Sequence, residues 1–158
     1  MGKVLLIVGI ILILIGGIVS LVNYLSLQNN IEGLKSRAQV SADADEIHNR
    51  LVDLDQAMEE RGMTSGYASL WVHSPWTSVK EIRQNVKRII ERADVISKLD
   101  HSSDAYQQGL DDVRGTLREL DLQAWGWWLY NSAGWVFLYL LIGLGIVLLI
   151  LAFIYWER

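Results

Sequence analysis

Two long stretches without a single charged side chain bracket this sequence, and they limit what the chain between them can be. Val4–Val22 holds nineteen such residues and Ala133–Ile154 holds twenty-two. At about 1.5 Å per helical residue, they reach roughly 28 and 33 Å, enough to cross a hydrocarbon core of about 30 Å. The charge lies almost wholly between them. Of 14 Lys and Arg and 18 Asp and Glu, all but Lys3, Arg158 and Glu157 fall within Glu32–Asp121. That block therefore carries a formal charge of −5, from 12 basic and 17 acidic groups. A polar block between two apolar ends is the pattern of a membrane protein.

The first run has a rival reading as a cleaved signal peptide. Such a leader has an apolar region of about 7–15 residues followed by small residues at a cleavage site. Here the run is longer and ends on Asn23-Tyr24-Leu25-Ser26-Leu27, so an uncleaved signal-anchor is expected. Aromatic residues mark both edges of the second run. Trp125, Trp127, Trp128, Tyr130 and Trp135 precede it or stand at its start, and Tyr155 and Trp156 close it. Indole and phenol rings favour the membrane interface because they pair an apolar body with a polar tip. Gly9, Gly16 and Gly143 are candidate positions for close helix packing, although glycine is frequent in membrane helices anyway.

Two spans place both ends of the chain on one side. The charged block is too long for its basic residues to hold it in the cytoplasm. The expectation is a two-pass protein of the cell membrane, with the central domain extracytoplasmic and both termini cytoplasmic.

The central block reads as helix. Its apolar residues recur at alternating spacings of three and four, which puts them on one helical face. The seams are Val40, Ala44, Ile47, Leu51, Leu54 and Met58; Val79, Ile82, Val86, Ile89, Ala93 and Ile96; and Tyr106, Leu110, Val113, Leu117 and Leu120. Ser78 with Glu81 fits a capping box, and Ser103 can cap the last segment. A chain that leaves the membrane and returns needs an even number of traverses, so a fourth helix is expected over about 24–38, with Leu27, Ile31, Leu34 and Ala38 as its seam. On one straight helix at about 100° per residue, the 31–38 and 40–58 stripes would face opposite ways. A reversal near Val40 to Asp45, capped by Ser41 or Asp43, resolves this; a long helix with two different partners is the alternative.

The expected fold is thus an all-α membrane protein: two transmembrane helices flanking an antiparallel four-helix bundle, up-down-up-down, with the first and last helices continuous with the spans. The expected divisions are an inside tail at 1–3, a transmembrane helix at 4–23 and a helical ectodomain at 24–124. An aromatic interface at 125–132, a transmembrane helix at 133–156 and an inside tail at 157–158 follow. Ectodomain helices are placed at about 24–38, 43–61, 78–98 and 103–124. The last of them is expected to run unbroken from Ser103 to Trp156.

Four traverses bring the linker at 62–77 to the membrane end of the domain. Tyr67, Leu70, Trp71 and Trp76 in this linker, with Trp125, Trp127 and Trp128, form a candidate interface: an aromatic collar where bundle, bilayer and any partner would meet. The linker has three candidate environments: the lipid headgroup layer, a partner protein, or the end of the bundle's own core.

Little in the sequence points to catalysis. There is no cysteine, which removes disulfides and thiolate chemistry. The acidic balance argues against nucleic acid. His48, His73 and His101 share no ligand spacing, and Asp43, Asp45 and Glu46 lack the rest of a calcium loop; no cofactor is expected. No phosphate loop or nucleophile motif occurs, and the spans carry no ionisable side chain apart from the Tyr139 phenol. The expected function is a non-enzymatic, membrane-anchored helical module. It would be a structural or accessory subunit of a membrane assembly, or a self-associating scaffold, with the bilayer and other membrane subunits as partners. A ligand-sensing ectodomain working through a separate signalling protein is one alternative, since the order span, helical domain, span is similar in architecture to the sensor half of bacterial receptors. A membrane-active protein of the phage or toxin-immunity type is another.

Overall fold

A computed structural model describes residues 2–131 and 133–156. The expected tail at 157–158 and the girdle side chains of Trp135 and Trp156 lie outside the described residues. The described chain is all-helical. Its elements are α1 (Gly2–Leu27), a π-helical turn (Gln28–Glu32), α2 (Gly33–Gln39), α3 (Ala44–Glu60), α4 (Val79–Ser97), α5 (Asp104–Glu119), α6 (Ala124–Asn131) and α7 (Ala133–Trp156). They divide into two compact units. One combines Met1–Ser26 with Ser132–Arg158, and the other is Leu27–Asn131.

In the first unit, α1 and α7 are long and apolar enough to cross a membrane. A helix this apolar in the core of a soluble protein would be mostly buried, but only 11% and 17% of their most apolar stretches are. Glycine lets the two helices approach closely. A Cβ at Gly9 would lie 2.9 Å from the Gly145 carbonyl, and one at Gly16 would lie 2.8 Å from Ile142. Since Gly9 also faces Leu149 and Gly16 faces Leu138, the two helices run antiparallel. Gly143, expected among the packing glycines, instead meets open space. Gly145 takes that place, because two residues further along a helix is a turn of about 200°.

In the second unit, the helix that begins as α1 continues through the π turn into α2. It stops at Val40, where the chain reverses over four residues before α3. The N-termini of α3, α4 and α5 are satisfied by side chains, as helix ends require. Asp43 Oδ1 accepts from the Glu46 amide at 2.7 Å, Ser78 Oγ accepts from the Glu81 amide at 3.5 Å, and Ser103 Oγ accepts from the Tyr106 amide at 3.2 Å. Ala44 donates its amide to the Tyr106 hydroxyl at 3.1 Å, so a buried helix start is paired across the unit.

The buried residues follow the spacing pattern closely. They are Ala44, Ile47, Leu51, Leu54 and Met58 on α3, the whole Val79–Ile96 seam on α4, and Tyr106, Leu110, Val113 and Leu117 on α5. Leu27, Ile31 and Ala38 complete the core from the first helix. Val40, expected in a seam, is 80% exposed because it belongs to the reversal rather than to a helix. α3 packs on α2 and α4, while α5 packs on α4 and α2. Opposing numbers show their directions: Arg92 meets Asp112 and Ile96 meets Gly109 across α4 and α5. Lys35 reaches Leu120, and Arg114 reaches Ala42, across α2 and α5.

One expectation fails here. No single helix runs from Ser103 to Trp156: α5 ends at Glu119 and α6 begins at Ala124. Leu120 is extended and Gln123 has φ +48°. Three interactions hold the break. Lys35 Nζ donates to the Leu120 carbonyl at 2.7 Å, Asp121 Oδ1 accepts from the Gln123 amide at 3.1 Å, and Leu122 is fully buried. An acceptor side chain two residues upstream is a turn device that competes with the helix.

An ion-pair cluster ties α3 to α4. Arg83 donates through Nε to Asp55 Oδ1 at 2.5 Å and through Nη2 to Asp55 Oδ2 at 3.1 Å, and it also pairs with Glu59. These bonds, to Asp55 first, outweigh burial and raise the Arg83 pKa above its usual value. The Arg83 and Asp55 side chains are 13% and 18% exposed, and removing Arg83 leaves Asp55 only the longer Lys87 contact at 3.8 Å. Arg83→Ala should lower the stability of this unit by about 2 kcal/mol, measured by urea unfolding of the detergent-solubilised chain.

Candidate functional site

The collar is built from the 62–77 loop and the segment that follows α5. Gly62 and Gly66 take left-handed conformations, with φ of +74° and +90°, which favour glycine for steric reasons. The loop's base is closed by backbone: the Ala68 amide donates to the Thr77 carbonyl at 2.8 Å and the Val79 amide donates to the Gly66 carbonyl at 3.0 Å. Higher up, Thr77 Oγ1 donates to the Val72 carbonyl at 2.7 Å, while the Ser74 amide donates to Thr77 Oγ1 at 3.1 Å. His73 stacks on Tyr67, with ring centroids 4.2 Å apart.

The loop is latched to α6. Trp127 Nε1 donates to the Ser65 carbonyl at 2.9 Å, Asn131 Nδ2 donates to the Tyr67 carbonyl, and Gln123 Nε2 donates to the Trp76 carbonyl at 3.2 Å. Between them the backbones touch. A Cβ at Gly126 would lie 2.5 Å from the Ala68 carbonyl oxygen, so only glycine fits without movement.

The seven expected interface residues thus fall into two groups. Trp127 and Trp128 are buried, at 5% and 8% exposure; they support the loop and do not form an open face. Trp125 is half-buried and stacks on Trp128, 5.0 Å between centroids. Trp71 and Trp76, in contrast, are 90% and 81% exposed, and Leu70, Val72 and Tyr67 are exposed beside them in sequence. The loop closes the core with Met63 and Ala68, not with its tryptophans. Asn131 is a latch residue. So are Gln123 and Gly126. The one sequence signal for them was a glycine and an amide set among tryptophans.

A second feature is a groove of about 550 Å³ between α4 and the end of α5. Its lining includes Trp76, Ile82 and Ile89, the bases Arg88 and Arg92, and the acids Glu119 and Asp121. No family model, curated protein or solved structure matches this chain. Among the described residues, no cluster of three or more His, Asp or Glu could hold a metal ion.

Several carboxylates outside the apolar helices make the stability of the second unit depend on pH. Glu46 lies below its usual 4.5 because of Arg50 and then the Ala42 amide. Asp94 and Asp100 lie below their usual 3.8, held by Lys98 and by the Ser102 amide and hydroxyl. A lowered folded pKa gives stability that is present above the unfolded value and lost as pH falls through the folded one. Glu32 has the opposite sign. Burial, reinforced by Asp121 and opposed by Lys35, raises it above 4.5, so its contribution is present below 4.5 and is lost as pH rises. Unfolding midpoints should therefore fall as pH drops below about 4.5, and Glu32→Gln should steepen that fall by removing the opposing contribution.

Proposed function

We propose that the chain is a non-enzymatic, two-pass membrane module of the cell membrane. On this reading α1 and α7 are the spans, and Leu27–Asn131 is an up-down-up-down four-helix bundle held outside the cytoplasm. Its work is structural: an accessory subunit of a membrane assembly, or a self-associating scaffold. The observation that carries this reading is the pairing of two nearly unburied apolar helices with a helical unit whose exposed tryptophans sit on a latched, hydrogen-bonded loop. A fixed aromatic display is costly to leave in water and is the usual mark of an anchoring surface. Purification from membranes in mild detergent tests it. A stoichiometric companion or a defined oligomer is expected; a lone monomer would overturn the scaffold reading.

The α4–α5 groove favours a second reading, a ligand-sensing domain that signals through a separate protein. A lining that combines apolar, basic and acidic side chains suits a small zwitterionic molecule with an apolar body. Thermal stabilisation by such a compound from a metabolite panel, lost in Ile89→Asp, would support it, and no shift with any compound would count against it.

A further inference from the structure

We infer that the tip of the 62–77 loop is a third membrane contact, inserted in the lipid headgroup layer. This rests on α1 and α7 being spans. The first support is composition. From Gly62 to Val79 the chain has no Asp, Glu, Lys or Arg, in a unit that is otherwise densely charged, so the tip can leave water without desolvating a full charge.

The second support is what the tip exposes. Two tryptophans, a leucine and a valine stand outward at Leu70, Trp71, Val72 and Trp76, and tryptophan is the side chain most at home at a bilayer interface. The third is connectivity. Asn131, which binds the Tyr67 carbonyl, stands two residues before Ala133, the first residue of α7. Hydrogen bonds within the loop and to α6 fix its shape in advance, so insertion orders little that is not already ordered. A protein partner would use the same tryptophans, but the tip has no Asp, Glu, Lys or Arg to select one, and the Ser69 and Thr77 hydroxyls are engaged within the loop.

The native chain has no cysteine, which makes the test direct. Val72→Cys keeps both tryptophans and carries an environment-sensitive fluorophore. Val95→Cys, 62% exposed and about 24 Å along α4 from Val79, is the aqueous control. The full chain is reconstituted in phosphatidylcholine–phosphatidylglycerol vesicles. The Val72→Cys label should shift to the blue, be quenched by headgroup-level nitroxide lipid and resist aqueous iodide several-fold better than the control. Adding Trp71→Ser and Trp76→Ser should restore iodide access while the far-UV circular dichroism stays unchanged. Equal iodide access at both sites, in protein that floats with the vesicles, would overturn this inference and leave the spans intact. Protection that vanishes as protein is diluted in lipid would overturn it in favour of a second copy. Failure to float would overturn the membrane reading itself.

Discussion

Leu51→Ala should remove about 3 kcal/mol from the stability of the Leu27–Asn131 unit, the expected cost of deleting three buried carbons and leaving a cavity. Leu51 is fully buried in the middle of the α3 seam, whereas its neighbour Val52 is 41% exposed. Val52→Ala should therefore stay within about 0.5 kcal/mol of the parent. In thermal melts of the solubilised chain, the first change should lower the midpoint by roughly 10 °C and the second should hardly move it. The contrast between adjacent residues tests the helical phase itself. Equal effects would mean that α3 does not turn the 44-47-51-54-58 stripe inward.

Gly126→Val should free the aromatic loop. The new side chain would have to begin 2.5 Å from the Ala68 carbonyl oxygen, a backbone atom that cannot swing aside as a side-chain tip could. Overpacking of this kind costs about 1–3 kcal/mol, and here the cost falls on the latch, because Trp127 and Asn131 hold the same stretch of loop. Chymotrypsin should then cut after Tyr67 or Trp71 about tenfold faster or more in detergent, since local opening sets the rate. Gly115 is the control. A Cβ there meets nothing, so Gly115→Ala should leave cleavage unchanged and, by helix propensity, gain up to about 1 kcal/mol.

The sequence reading and the structure agree where the physics is local or periodic. Asp43, Ser78 and Ser103 are legible as caps because each is a short oxygen-bearing side chain just ahead of an apolar stripe. The seam residues are legible because alternating three- and four-residue spacing can face inward only as a helix. What could not be read depends on partners distant in sequence. The break at Leu120–Gln123 lacks Gly and Pro; it is held by Lys35, eighty-five residues away, and by a glutamine with positive φ that no propensity rule favours. The latch likewise needs Trp127 to meet Ser65 and Asn131 to meet Tyr67. A run of tryptophans before an apolar helix signals a waterline, but not that two of them would turn inward while Trp71 and Trp76 stay outside. The exchange of Gly143 for Gly145 has the same origin: helix phase in an almost uniformly apolar span carries no pattern to read.

In the proposed topology α1 and α7 both cross the bilayer, with Leu27–Asn131 on one side and Lys3 on the other. Single cysteines at Lys3 and Val95, both exposed, can be placed in the cysteine-free chain and probed with a membrane-impermeant maleimide on intact cells. In that topology Val95→Cys is labelled at once and Lys3→Cys only after the membrane is opened. Labelling of both from the outside, or of Lys3→Cys alone, would contradict it.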